Sequence, residues 1–194
     1  MTARLAPLVL VLLLASCASS PPSKPGNLCN IFDEKDGWWG IGDWYDDAKR
    51  AEQRWNSPVP VMMAIMYQES SFIENAKPPR AKFLGIPLWY RISSSRGYAQ
   101  AKKDTWKWYE KSTGRNADRG DFDDAVDFIG WYNDQSHRQN GIARNDAYSL
   151  YLAYHEGHGG YRQGTYKNKS WLLDVAARVS QRAAQYQQQL SSCE

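Results

Sequence analysis

Residues Val61 to Ser70 follow the helix-breaking run Ser57-Pro58-Val59-Pro60 and are apolar almost throughout. Proline is tolerated near a first helical turn, where its missing N–H would lack a partner anyway, so the spacing predicts a helix from about Val61 to Ser70. Met62, Ile65, Met66 and Glu69 stand at i, i+3, i+4 and i+7 and share the stripe that has to face a core. Glu69 is its only charged member. An ionised carboxylate there gives up water, and that cost pushes its pKa toward neutrality. A carboxylic acid still protonated near pH 7 is what general-acid cleavage of a glycosidic bond requires. The plain alternative is a side chain at a helix end that turns into solvent or meets an arginine.

The remaining chain also reads as helices separated by Gly and Pro. Asp43 to Asn56 carries acids in its first turn and bases later, as the helix dipole favours. Asn75 to Ser95, with Pro78, Pro79 and Pro87, reads as a long irregular crossing. Gln100 to Ser112 is predicted helical. Asp121 to Gln139 places Ala125, Phe128, Ile129 and Tyr132 at helical spacing behind three aspartates. Asn145 to His155 is a short helix ending at a glycine cluster, and Ser170 caps a last helix carrying Leu172, Val175, Val179, Ala183, Tyr186 and Leu190. No convincing alternating strand and no internal repeat is found. The expected fold is mainly α, a bundle around one core, and 194 residues suit one domain.

The chain holds 9 Trp and 12 Tyr against 5 Phe, a bias toward flat apolar faces with polar handles, which suits a core that also lines a wet cleft. Trp38, Trp39, Trp44, Trp55, Trp106, Trp108, Trp131 and Tyr132 are expected mostly in the core. Trp89 and Tyr90, in the crossing, are the expected surface platform. The formal charge of +3, or +2 without Arg4, gives no strong basic excess and disfavours nucleic acid as a partner. Lys102-Lys103, Lys167 and Lys169 read as solvated faces.

Residues 1–16 have the layout of a signal peptide: a charged start with Arg4, an apolar run from Leu5 to Leu14, then small residues. The run is about half the ~20 residues that span a bilayer. Leu14-Ala15-Ser16-Cys17 resembles the lipobox of bacterial lipoproteins, which implies acylation of Cys17. Ala18 after it resembles lipoproteins sent to the outer membrane, so the expected location is that membrane's periplasmic face in a Gram-negative cell. Residues 17–28 then form the lipidated cysteine and a Ser/Pro/Gly tether, and 29–194 the folded domain. Cys29 and Cys193 stand at the two ends of that domain. In an oxidising compartment they are best read as a disulfide, worth on the order of 4 kcal/mol for so long a loop; two buried thiols are the alternative.

Three segments carry a family resemblance. Met63-Ala64-Ile65-Met66-Tyr67-Gln68-Glu69-Ser70-Ser71-Phe72 resembles the catalytic helix of the lytic transglycosylase (SLT) domains of the lysozyme-like superfamily. Gly97-Tyr98-Ala99-Gln100 is similar to their Gly-Leu-Met-Gln motif, and Tyr154-His155-Glu156-Gly157-His158-Gly159 to their Tyr-Asn-Ala-Gly-x-Gly motif. The resemblance implies a lysozyme-like (goose-type/SLT) helical domain that binds peptidoglycan glycan strands and needs no cofactor. It implies Glu69 as the single acid/base and Gln100 as the substrate-binding amide, with Tyr98 beside it in the motif. Tyr154 is implied to pack against the catalytic carboxyl, and Ser70 and Ser71 to shape the helix end near the substrate. Two departures stand out. The interval from Glu69 to Gly97 is longer than the family's, and His155 and Glu156 replace Asn-Ala, placing an imidazole and a second acid near the sugar contacts.

The implied reaction cleaves the MurNAc–GlcNAc β-1,4 bond without water and leaves a 1,6-anhydroMurNAc end. Glycosidases that use water generally need two carboxylates. Glu156 and Asp104 are the candidates for a second one in a lysozyme-type hydrolase of the same fold. The other rival is a murein-binding lipoprotein without catalysis. His155-Glu156-Gly157-His158, with His137, invites a zinc reading, but the second histidine comes one residue too early for His-Glu-x-x-His and the glycines interrupt a helix; no metal is expected.

Overall fold

The structure is a computed structural model and describes residues 27–36, 44–83 and 85–193. The signal-like segment 1–16, Cys17, the tether up to residue 26, Trp38, Trp39 and Asp43 lie outside the described residues. The described chain is mainly helical: α1 (Leu28–Asp36), α2 (Trp44–Trp55), α3 (Val59–Ser70), strands β1 (Arg80–Phe83) and β2 (Ile86–Arg91), then α4 (Lys103–Thr113), α5 (Phe122–Asn140), α6 (Ala147–Gln163) and α7 (Ser170–Cys193). A single 3₁₀ turn, Thr165–Asn168, joins α6 to α7.

The second predicted helix is the axis of the molecule. In α3 every residue from Val59 to Met66 is buried, so the helix is covered all round rather than along one stripe. It touches α2, α5, α6 and α7. A helix with no polar face has nowhere else to sit, and the rest of the bundle is built against it. Ser71 ends it in the left-handed region (φ 51°), its N–H bonded to the Tyr67 carbonyl. On α5, Asp121 caps the first turn by accepting from the Asp124 N–H at 3.2 Å, and Gly141 closes the other end.

Buried charge ties the outer helices together. Asp127 on α5 accepts from Trp55 Nε1 at 2.9 Å and from the Tyr109 hydroxyl at 2.6 Å, with Arg54 at 3.3 Å and Arg115 at 3.6 Å. One carboxylate thus joins α2, α4 and α5, and its donors would be orphaned without it. Asp134 serves Arg138 and Arg144, each at 2.7 Å, in the same way.

Four features depart from the sequence reading. Leu28, Ile31 and Phe32 form an i, i+3, i+4 stripe on α1, and all three are buried, so packing starts one residue on the tether side of the expected boundary. Leu28 donates its N–H to Gln189 Oε1 at 2.9 Å, and Cys29 Sγ lies 3.4 Å from the Gln189 carbonyl oxygen. The crossing holds a hairpin, with Arg80 opposite Arg91 and Phe83 opposite Ile86 around Gly85 (φ +83°). It escapes periodicity because, among the described residues, it packs on none of the helices, and packing on a core is what imposes alternation. The fourth helix starts at Lys103 rather than Gln100. Finally, α6 runs on past the glycine cluster to Gln163, broken only at Gly157, whose φ 77° and ψ 158° are essentially restricted to glycine.

Candidate active site

A cavity of about 330 Å³ opens where α3 ends. Glu69 comes from the last turn of α3, Phe128 and Tyr132 from α5, and Tyr154, His155, Glu156 and Gly157 from α6. The segment between the hairpin and α4 adds Ser95, Gln100, Ala101 and Lys102, and α4 adds Thr105. The break at Gly157 lets α6 present three consecutive side chains at one rim of this cavity.

Glu69 is half-buried, open to the cavity and enclosed elsewhere. Desolvation pushes its carboxyl from 4.5 up to about 7, against a smaller opposing effect of the hydrogen bond donated by Tyr151. The negative end of the α3 dipole acts in the same direction as burial. Tyr154, implied as the carboxyl's neighbour, spends its hydroxyl on the Ala99 carbonyl at 2.6 Å. Its phenol is raised well above the ordinary value by burial first and then by the nearby Glu69 charge. Tyr151, one turn earlier on the same face, is the residue that sequence reasoning missed; its i, i+3 spacing to Tyr154 was the available signal.

The other carboxyl at the cavity is held in the opposite state. Burial alone would raise Glu156, but hydrogen bonds from Lys169, Thr165 and His155 outweigh it and hold the group at about 2. Lys169 Nζ reaches both oxygens, at 2.7 and 2.8 Å, and His155 Nδ1 lies 3.0 Å from Oε1. With its oxygens engaged, Glu156 is a fixed negative charge that braces the start of α7 against the break in α6. The His155 ring meets Trp171 edge-on at 5.2 Å, and Trp171 is 54% exposed. This tryptophan was also missed. It stands one residue before the buried Leu172, off the apolar stripe of α7, and that misplacement was the signal.

The structure does not bring every expected residue to the cavity. Tyr98 is buried beside Trp44 and Phe122, with ring centres 5.5 and 6.0 Å away, and packs in the core rather than lining the site. Ser70 and Ser71 turn their hydroxyls back to the carbonyls of Met66 and Tyr67 and shape the helix end. Asp104 is exposed on the first turn of α4 and does not line the cavity. Gln100 does line it, but its amide NH₂ is committed to the carbonyls of Ala76 (2.9 Å) and Gly97 (2.8 Å), leaving only its oxygen for a ligand. Of the aromatics, Trp44, Trp106, Trp131 and Tyr132 are buried as expected, whereas Trp108 is partly exposed against Trp131 and His158.

The histidines are dispersed. His158 stacks on Tyr132 at 4.3 Å with Nε2 3.1 Å from Ser136 Oγ, and burial lowers its pKa. His137 Nδ1 is 2.8 Å from the Ile142 carbonyl. Among the described residues no group of three or more His, Cys, Asp and Glu side chains is placed to hold a metal ion.

A family model described as the transglycosylase SLT domain matches residues 5–193. The chain belongs to that family. Comparison with curated proteins and with solved structures finds no match. SLT-domain membership accounts for the mainly helical body, and at family level it supports peptidoglycan cleavage of the lytic transglycosylase type. No helix among the described residues is long and apolar enough to cross a membrane.

Proposed function

We propose that this SLT domain cleaves the MurNAc–GlcNAc β-1,4 bond of peptidoglycan non-hydrolytically, with Glu69 as the single acid/base. The observation that carries the reading is a carboxyl at about 7, open to a cavity and enclosed on its other sides. Glu69 gives its proton to the bridging oxygen, the C1–O bond breaks, and the GlcNAc end leaves as an alcohol. The resulting carboxylate takes the proton of the MurNAc C6 hydroxyl as that oxygen bonds to C1. The proton is thereby restored to Glu69, and a 1,6-anhydro ring closes. Because the attacking oxygen belongs to the substrate, proximity supplies much of the rate and no second base is needed. Tyr151 holds the carboxyl in place through both states.

The hydrolase alternative needs a base for water, and the remaining carboxyl at the cavity, Glu156, is engaged by Lys169, Thr165 and His155. A group held at about 2 is a weak base, so the arrangement favours the anhydro product. Purified sacculi digested by the protein should release muropeptides that lack one water relative to lysozyme products, read by mass spectrometry. Products heavier by one water would instead assign a hydrolase, and no soluble product a binder.

We propose further that residues 1–16 are removed and that Cys17 is acylated, tethering the domain to the periplasmic face of the outer membrane. The support is the charged start, apolar run and Leu-Ala-Ser-Cys ending. Cys17→Ala should leave an active domain that fractionates as soluble; continued membrane fractionation of that variant contradicts the anchor. Cys29 pairs with Cys193 in this reading. The disulfide state of Cys29 and the seating of α1 on the end of α7 through Leu28 and Gln189 support the pairing.

A further inference from the structure

The hairpin is a physical anomaly. Two isolated strands are marginal in water, yet β1 and β2 rest on no helix of the described chain. They also expose what an unsupported element normally hides: Trp89 is 88% exposed, and Phe83, Tyr90 and Ile92 are exposed with it. Trp89 and Tyr90 meet edge-to-face at 5.4 Å, so the rings are held as a unit.

Charge separates this arm from the rest of the molecule. From residue 75 to residue 103 the chain carries seven Lys and Arg and no Asp or Glu, although the whole protein is nearly neutral. Arg80 faces Arg91 directly across the hairpin, a like-charge pair that destabilises two strands with no other support. Arg91 donates to the Pro78 carbonyl, and among the described residues no ion pair is formed by Arg80, Lys82 or Arg91. The same crossing then supplies Ser95, Gln100, Ala101 and Lys102 to the cavity. A polyanion lying on the arm is therefore joined by a short, continuous stretch of chain to the cleavage site.

We propose that the β1–β2 arm docks peptide-bearing peptidoglycan, its cations reading the carboxylates of the stem peptides and its aromatic pair resting on sugar faces. This deepens the murein reading and rests on it. The arm makes the protein selective for decorated over naked glycan, while the cavity performs the same cleavage on both. An anionic lipid surface offers the same negative charge but no sugar face and no link to the cavity, and it is set against the proposal in the test.

The test uses the protein carrying Cys17→Ala, so that no acyl anchor contributes to vesicle binding, with the wild-type arm and with the variant Arg80→Ser/Lys82→Ser/Trp89→Ala, which leaves Arg91 and its contact to Pro78 in place. Both are assayed for binding by co-sedimentation with intact sacculi and with vesicles containing anionic phospholipid, for competition by the soluble glycan that an amidase has freed of stem peptides, and for product release from sacculi and from that glycan. Unfolding temperature establishes that the variant keeps its fold. The wild-type arm should bind intact sacculi about tenfold more tightly than the stripped glycan, which keeps only the lactyl carboxylate of each MurNAc. That difference should vanish in the variant, and for the wild-type arm in about 0.5 M salt, where surface charges are screened within a few Å. Product release from stripped glycan should be equal in the two proteins. Unchanged sacculus binding by the variant overturns the proposal, as does a loss of binding confined to the vesicles. If neither protein cleaves any substrate but the binding difference persists, the docking arm stands and the catalytic reading falls.

Discussion

Glu69→Gln should fold normally and lose cleavage of sacculi by about 10³-fold or more, since one group serves as both acid and base and such roles each contribute 10²–10⁴-fold. The amide keeps the shape and can still accept from Tyr151, so the loss isolates the proton. Wild-type kcat/KM should fall with rising pH through about 7, because the reaction begins from the protonated acid. Stability moves with it in a defined direction. The folded carboxyl sits at about 7 against an ordinary 4.5, so between those values the native state binds more protons than the unfolded chain. Stability attributable to this group is therefore fully present below about 4.5 and declines as pH rises to about 7. The variant escapes that decline. At pH 8 it should be more stable than wild type, by on the order of 2–3 kcal/mol, with the gap closing toward pH 5. Thermal unfolding of both proteins across this range checks it. A variant no more stable than wild type at pH 8, with cleavage largely retained, would assign the acid to another residue.

That an acid sits on the core-facing stripe was legible in the sequence, because Met62, Ile65, Met66 and Glu69 share a helical phase. The stripe understated the burial. Apolar residues on every side of α3 signal a helix at the centre of the bundle, and the i, i+3, i+4 pattern records only one side of it. From α2 onward the helix order and most boundaries were also legible, because Pro and Gly punctuate the chain where caps occur, whereas α1 was not read as a helix. The hairpin was not legible: strands are read from the alternation that packing on a core imposes, and among the described residues the arm packs on no helix. Within the motif Gly97-Tyr98-Ala99-Gln100 the pattern located the right loop but could not divide its labour. Tyr98 alternates into the aromatic core, whereas Gln100 turns its amide onto backbone carbonyls. Glu156 shows the same limit. Its identity suggested a second catalytic acid, and only the approach of Lys169 and Thr165, 13 and 9 residues along the chain, shows that it is a brace.

Gly97→Ala should cost about 3–5 kcal/mol and remove activity with it. A Cβ at Gly97 would lie 1.7 Å from the Arg119 carbonyl oxygen, a backbone atom with no rotamer to yield, and φ is +78°. A non-glycine residue in such a conformation costs roughly 1–3 kcal/mol, and forcing atoms into a filled space adds a similar amount. The loop has little freedom to relax. Gly97 N–H bonds the Ala76 carbonyl at 3.0 Å, Tyr98 N–H bonds Arg119 at 3.3 Å, and the Ala99 carbonyl receives the Tyr154 hydroxyl. Any shift that frees the new methyl therefore moves Tyr154, and with it the wall around Glu69. Gly114 provides the control, because its φ of +72° is similar but nothing lies within 4 Å of an added Cβ. Gly114→Ala should show the conformational cost alone, about 1 kcal/mol, and keep its activity. For a domain of this size the two variants should differ in Tm by roughly 5–15 °C. Equal unfolding temperatures would mean that the loop is not pinned to Arg119, and the cavity wall would then need another support.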